Sequence, residues 1–181
     1  MGEAGPVPIA SCGVDRIAII GCGGSGKTTV ANRLGPALGL PVTHLDVAFY
    51  DERWNPLPQE EFAALQRDLV AAPRWVIDGN YASTMPIRLA AADTVIFLDL
   101  PARACLWGIA QRRRRYRGAQ NDHDGVYDRI TWGFIRYVWN YRRTMAPRVR
   151  TLINDHAANA RVHVVRTRRA ADHLVADLAR T

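Results

Sequence analysis

Gly21-Cys22-Gly23-Gly24-Ser25-Gly26-Lys27-Thr28-Thr29 satisfies the pattern GxxxxGK[ST], directly behind an apolar run at 16–20 and in front of a helix-patterned segment at 27–38. Each residue type has a task in this pattern. Glycines let the backbone curl so that successive N–H groups point inward at phosphate oxygens, and a helix opening at Gly26 adds its positive end. Lys27 reaches the β- and γ-phosphates, and Thr28 is placed to ligate Mg²⁺. With this composition, roughly 4 × 10⁻⁴ accidental matches are expected in a chain of this length, so chance is a weak competitor. Gly21, Gly23, Gly24, Ser25, Gly26, Lys27, Thr28 and Thr29 are the candidate nucleotide-binding residues. The same glycines also satisfy GxGxxG, with Asp46 twenty residues beyond the third one, where a dinucleotide-binding fold keeps its ribose-binding acid. Against that alternative, the third glycine is followed by the lysine and two threonines, not by the small apolar residues that seat helix on strand.

Outward from this stretch, apolar runs of strand length recur between helix-patterned segments. They lie at 16–20, 41–46, 75–78, 94–100 and 161–166 and lack strict alternation, as strands covered on both faces do. Five βα-type repeats predict an α/β fold with a five-stranded parallel sheet; the expected arrangement is a P-loop, three-layer fold in the order 2-3-1-4-5. Helices are predicted at 27–38, 58–71, 101–117 and 170–178. A further apolar stripe runs through Val126, Ile130, Phe134, Tyr137, Val138 and Tyr141, and Pro147 starts another helix behind Thr144. One domain of 181 residues is expected, with a loose arm over 1–13 and a mobile loop over 117–125.

The chain is 48% apolar, too much for disorder, and Cys12, Cys22 and Cys105 have neither a disulfide framework nor zinc spacing. No leader and no apolar run of about 18 residues is recognisable, so a cytoplasmic protein without membrane contact is expected. The net charge of +7 is unevenly distributed. Residues 1–102 hold 7 basic and 11 acidic side chains, 103–150 hold 12 and 3, and 151–181 hold 5 and 3. Of the 24 basic residues only Lys27 is a lysine, which already excludes the Asn-Lys-x-Asp base-reading motif of guanine-specific switch proteins. The length leaves no room for the insertions of large transport or remodelling ATPases. Small kinases remain.

On the cradle, His44-Leu45-Asp46, Asp78-Gly79-Asn80-Tyr81, Val95-Ile96-Phe97-Leu98-Asp99-Leu100-Pro101, the arginine run at 112–118 and Trp139-Asn140-Tyr141-Arg142-Arg143, the chain resembles the adenylate-kinase-like P-loop kinases, and most closely the bacterial DNA topology modulation proteins. Such proteins typically carry Thr-Arg-Pro-Asp after the glycine matching Gly118, where this chain reads Ala119-Gln120-Asn121-Asp122-His123. The resemblance implies ATP and Mg²⁺ as ligands and γ-phosphoryl transfer to a small acceptor. It also implies that Asp78 holds Mg²⁺ through water, beside Thr28. Asp46, closing the second strand, faces the acceptor and is placed to take its hydroxyl proton. Either acid alternatively caps a turn. Asp99 also ends a strand, but its Leu100-Pro101 continuation reads as a turn. Phe49, Tyr50 and Trp54 mark the span 47–57 as a compact acceptor site or as ordinary packing.

Five arginines within 112–117 repel one another unless an anion neutralises them. In kinases of this type a lid over about 112–143 brings such charges to the transferring group. Arg113, Arg117 and Arg142 are the lid candidates, flanked by Arg112 and Arg143, with a solvated basic face as the plain alternative. The charge of +9 over 103–150, interleaved with Trp132, Tyr137, Trp139 and Tyr141, also allows a nucleic-acid-binding or DNA-topology-related protein with little kinase activity. Those aromatics are read as lying on the apolar stripe, which favours core over a base-stacking platform.

Overall fold

A computed structural model describes residues 13–49, 55–115 and 131–180. The expectations for the arm at 1–12 and for residues 116–130, including Arg117 and the loop at 117–125, fall outside that set, as do Tyr50 and Trp54. Five strands, β1 (Arg16–Gly21), β2 (Val42–His44), β3 (Trp75–Asp78), β4 (Thr94–Leu98) and β5 (Arg161–Val165), form one sheet in the order β2-β3-β1-β4-β5. Every pairing is parallel. The central position of β1 follows from its composition: Ile17, Ala18, Ile19 and Ile20 are all fully buried and serve both faces at once.

The helices are α1 (Lys27–Leu38), α2 (Leu45–Ala48), α3 (Gln59–Ala71), α4 (Met85–Ala91), α5 (Ala102–Arg115), α6 (Trp132–His156) and α7 (Arg168–Leu178). α1 packs on β1 to β3 and against α7, while α3, α4, α6 and α5 form a chain of neighbours. No helix among the described residues is long and apolar enough to cross a membrane.

Three expectations are corrected. Asp46 does not close β2, which ends at His44; it lies in the first turn of α2. Pro147 does not start a new helix but sits inside the 25-residue α6. Proline removes one backbone donor, and the carbonyl it frees belongs to the exposed Arg143, where water can satisfy it. Meanwhile Val138, Tyr141, Ala146, Val149 and Ile153 keep one buried stripe in phase on both sides of the proline, so packing holds the helix together. The third correction concerns that stripe: Val138 and Tyr141 are core, but Trp132 and Trp139 are exposed. α4 had no counterpart in the expected helices.

Candidate functional site

The cradle residues occupy the turn between β1 and α1, and α1 begins at Lys27 as the pattern requires. Gly24 (φ 74°) and Gly26 (φ 98°) are left-handed, a conformation open to glycine at little cost. Gly24 is also pressed on α5, where an added Cβ would overlap the Cys105 carbonyl. Gly24→Ala is therefore expected to destabilise the protein by about 2–5 kcal/mol, from backbone strain and overlap together, read as a lower thermal midpoint. Lys27 is buried and donates from Nζ to the Cys22 carbonyl at 3.2 Å, folding its charge across the loop. Ser25 Oγ is buried without a hydrogen-bond partner among the described residues. A buried hydroxyl with no partner, a buried cation and a fresh helix N-terminus together fit a polyphosphate. The Cys22 thiol is pushed up by its hydrogen bond to Cys105 and by burial, so it acts as a packing group and not as a nucleophile.

The end of β3 and the turn of helix after β2 bring the two acids to the same edge. Asp78 ends β3 in register with Ile19 of β1 and His44 of β2, and it is almost fully buried. His44 bridges it to α1: Nδ1 lies 3.1 Å from Asp78 Oδ2 and Nε2 lies 3.1 Å from Asn32 Oδ1. Asp46 is partly buried, and burial raises its carboxyl above the ordinary value against the opposing pull of Lys27 and of a hydrogen bond from Tyr81. The mutual influence of Lys27, Asp46 and Asp78 places all three around one region. Phe49 packs with Phe62 and Tyr81 in a triangle of rings with centroids 4.8–4.9 Å apart beside Asp46. Among the described residues no three His, Cys, Asp or Glu side chains form a metal-holding cluster. Mg²⁺ ordinarily takes one or two protein ligands plus water and substrate phosphates, so Thr28 and Asp78 suit that mode.

Two residues that the sequence reading left out belong to this edge. Arg88 of α4 is fully buried, donating to Gln66 Oε1 and to the Gly79 carbonyl (3.2 Å), while Gln66 donates to Thr84 Oγ1 at 2.7 Å. Burial pushes its guanidinium down to about 10, with Asp78 the main opposing charge. The signal was present in the sequence: Met85, Arg88, Leu89 and Ala92 stand at i, i+3, i+4 and i+7, which puts an arginine on an apolar stripe. Asp99 is the second. It is not a plain turn residue but a fully buried carboxylate, accepting from Arg142 Nε at 3.1 Å and from Arg150 Nη2.

α6 closes the edge from above. The Phe134 ring lies on Gly23, where a Cβ would stand 2.8 Å from it. Asn80, two residues after Asp78, donates to Tyr137 Oη and accepts from Tyr141 Oη, both at 3.0 Å. Burial is the first cause that raises both phenols, Tyr137 to about 12, so they remain protonated donors at neutral pH. Of the candidate lid arginines, Arg113 is exposed on α5, and Arg142 is half-exposed and tied to Asp99.

Neither a protein-family model nor a curated protein matches the sequence. Among solved structures, a shikimate kinase from Acinetobacter baumannii in complex with shikimate superposes with a TM-score of 0.57 at 18% identity, covering 91% of this chain and 90% of that one. A shikimate kinase from Aquifex aeolicus gives 0.52 at 18%, covering 90% and 92%. The fold is that of the P-loop kinases.

Proposed function

We propose that the protein is an ATP-dependent phosphotransferase moving the γ-phosphoryl group of Mg-ATP to a small acceptor, a nucleoside, nucleotide or similar metabolite. One observation carries it: the cradle, with Ser25 Oγ unpartnered among the described residues and Lys27 across it, lies beside Asp78 at the end of β3 and Asp46 in the turn of helix after β2. The P-loop kinase fold and the sequence resemblance to the topology modulation proteins support the same class; the reading takes the protein as one domain acting in the cytoplasm.

In this reading the cradle N–H groups, Ser25 and Lys27 bind the phosphates, and Thr28 and Asp78 hold Mg²⁺, which neutralises phosphate charge. Asp46 faces the acceptor and takes its hydroxyl proton, its position held by Tyr81. Arg113, Arg117 and Arg142 stabilise the charge of the transferring group, Arg142 being oriented by Asp99. Changing Arg142 or Arg117 to Ala is expected to lower kcat by ~10²–10³ while leaving ATP affinity near wild type. The deciding experiment is an acceptor screen that follows ADP release, with shikimate in the panel beside nucleosides and nucleotides. A protein that binds ATP but is accelerated by no acceptor would overturn the reading.

Asp46 supplies a pH test. Its folded-state pKa is raised, so the folded protein holds this proton more tightly than the unfolded chain does. Ionising Asp46 therefore removes stability as pH rises from the ordinary carboxyl value through the raised one. Asp46→Asn is expected to raise the thermal midpoint at neutral pH and leave it unchanged below about pH 3, where both states are protonated. Phosphoryl transfer should fall by ~10² in the same variant.

A further inference from the structure

The outer side of the α5–α6 pair carries chemistry that phosphoryl transfer does not use. On α6, Trp132, Arg136, Trp139 and Arg143 stand at i, i+4, i+7 and i+11, which at about 3.6 residues per turn aligns all four on one stripe. Trp132 is 84% exposed and Trp139 62%. On α5, Arg103, Trp107 and Arg114 form a second stripe of the same kind, with Trp107 63% exposed. An open groove of about 760 Å³ is lined by Leu106 of α5 and by Trp132, Ile135, Arg136 and Trp139 of α6. Each helix carries five arginines, against the single acid Asp155 near the far end of α6. Arg103, Arg114, Arg136 and Arg143 have no carboxylate partner among the described residues.

We propose that this face binds single-stranded nucleic acid, stacking bases on Trp107, Trp132 and Trp139 and neutralising phosphates with Arg103, Arg114, Arg136 and Arg143. Four arguments select this partner. Indole and guanidinium alternate along α6 at steps of four, three and four residues, about 6, 4.5 and 6 Å, as an unpaired strand alternates base and phosphate. A helix lying in a lipid surface keeps its cations on the face opposite its apolar residues, whereas here both share one stripe. A two-fold contact with a second copy would set unpaired arginines of the two chains against each other. Duplex bases are stacked inside their own helix, so exposed indoles call for a single strand.

The test uses the full chain, a fluorescein-labelled oligothymidylate of about 12 nucleotides and anisotropy over a salt series. Binding is expected to weaken steeply with salt, and Trp132→Ala and Trp139→Ala each to lower affinity about five- to 150-fold. Arg136→Gln should flatten the slope of log affinity against log salt by about 0.7. ATP affinity of the tryptophan variants, measured alongside, should match wild type and so report an intact fold. The oligonucleotide result stands whether or not any acceptor is phosphorylated. No binding to the oligonucleotide at low salt, or binding that the tryptophan variants leave unchanged, overturns the proposal. So does tighter binding to phosphatidylglycerol vesicles with the same residue dependence, or self-association by light scattering that Trp139→Ala abolishes.

Discussion

Lys27→Ala is expected to weaken ATP binding by about 10- to 150-fold, the loss of a charge-assisted hydrogen bond to phosphate worth ~1.5–3 kcal/mol, and to reduce phosphoryl transfer by more than that. The residue is the only lysine in a chain with 23 arginines, and it is buried across its own loop with Nζ on the Cys22 carbonyl. That place suits a compact ammonium, not a planar fork, so Lys27→Arg should fail as well. Titration calorimetry with Mg-ATP reads the affinity directly. Unchanged ATP affinity together with binding of NAD would instead favour the dinucleotide-binding alternative.

The second large effect is on stability. Asp99 is fully buried, and its described cationic partners, Arg142 and Arg150, both come from α6 and are each about half-exposed. Replacing both by Ala strands a buried carboxylate, which destabilises by ~3–5 kcal/mol and should lower the thermal midpoint by roughly 6–20 °C. Adding Asp99→Asn to the double variant should restore most of that midpoint, because the stranded charge is gone. It should not restore kcat, because the Arg142 charge is still missing. Rescue of both together would make Arg142 a structural residue alone. No rescue of either would place the instability elsewhere than in Asp99.

What the sequence made legible was local. The glycine run, α1 over Lys27–Leu38 and β3 over Trp75–Asp78 follow from short-range pattern, whereas the handedness of βα units narrows the strand order without fixing it. What it concealed depended on partners far along the chain. Asp99 reads as a turn acid until α6, 43 and 51 residues later, delivers two arginines to it. The aromatics of α6 read as one apolar face, yet Phe134, Tyr137 and Tyr141 meet the loops after β1 and β3 while Trp132 and Trp139 fall on the exposed side. Asp46 moved from a strand end into a turn of helix because β2 has only three residues, a length that hydrophobicity alone does not set. α4 is seven residues long, too short for a periodicity to emerge before its core position reveals Arg88.

α6 lies on the loops that follow β1, β3 and β4, through Phe134 on Gly23, Tyr137 and Tyr141 on Asn80, and Arg142 and Arg150 on Asp99. Its polar contacts to Asn80 and Asp99 span 43 to 61 residues, and the pairings of β1 with β3 and β4 span 59 and 77, but the α6 contacts need loops that those paired strands position first. Loop-closure cost varies little over such spans, so what orders the two events is that α6 docks on loops the buried apolar strands have already set in place. The order of assembly then separates two states of one chain: an early sheet with an open edge, and a finished protein in which docking of a single helix completes the phosphate-facing wall. In pulse-labelled refolding, amide protection should reach β1 and β3 before α6, and ATP should accelerate only the last phase.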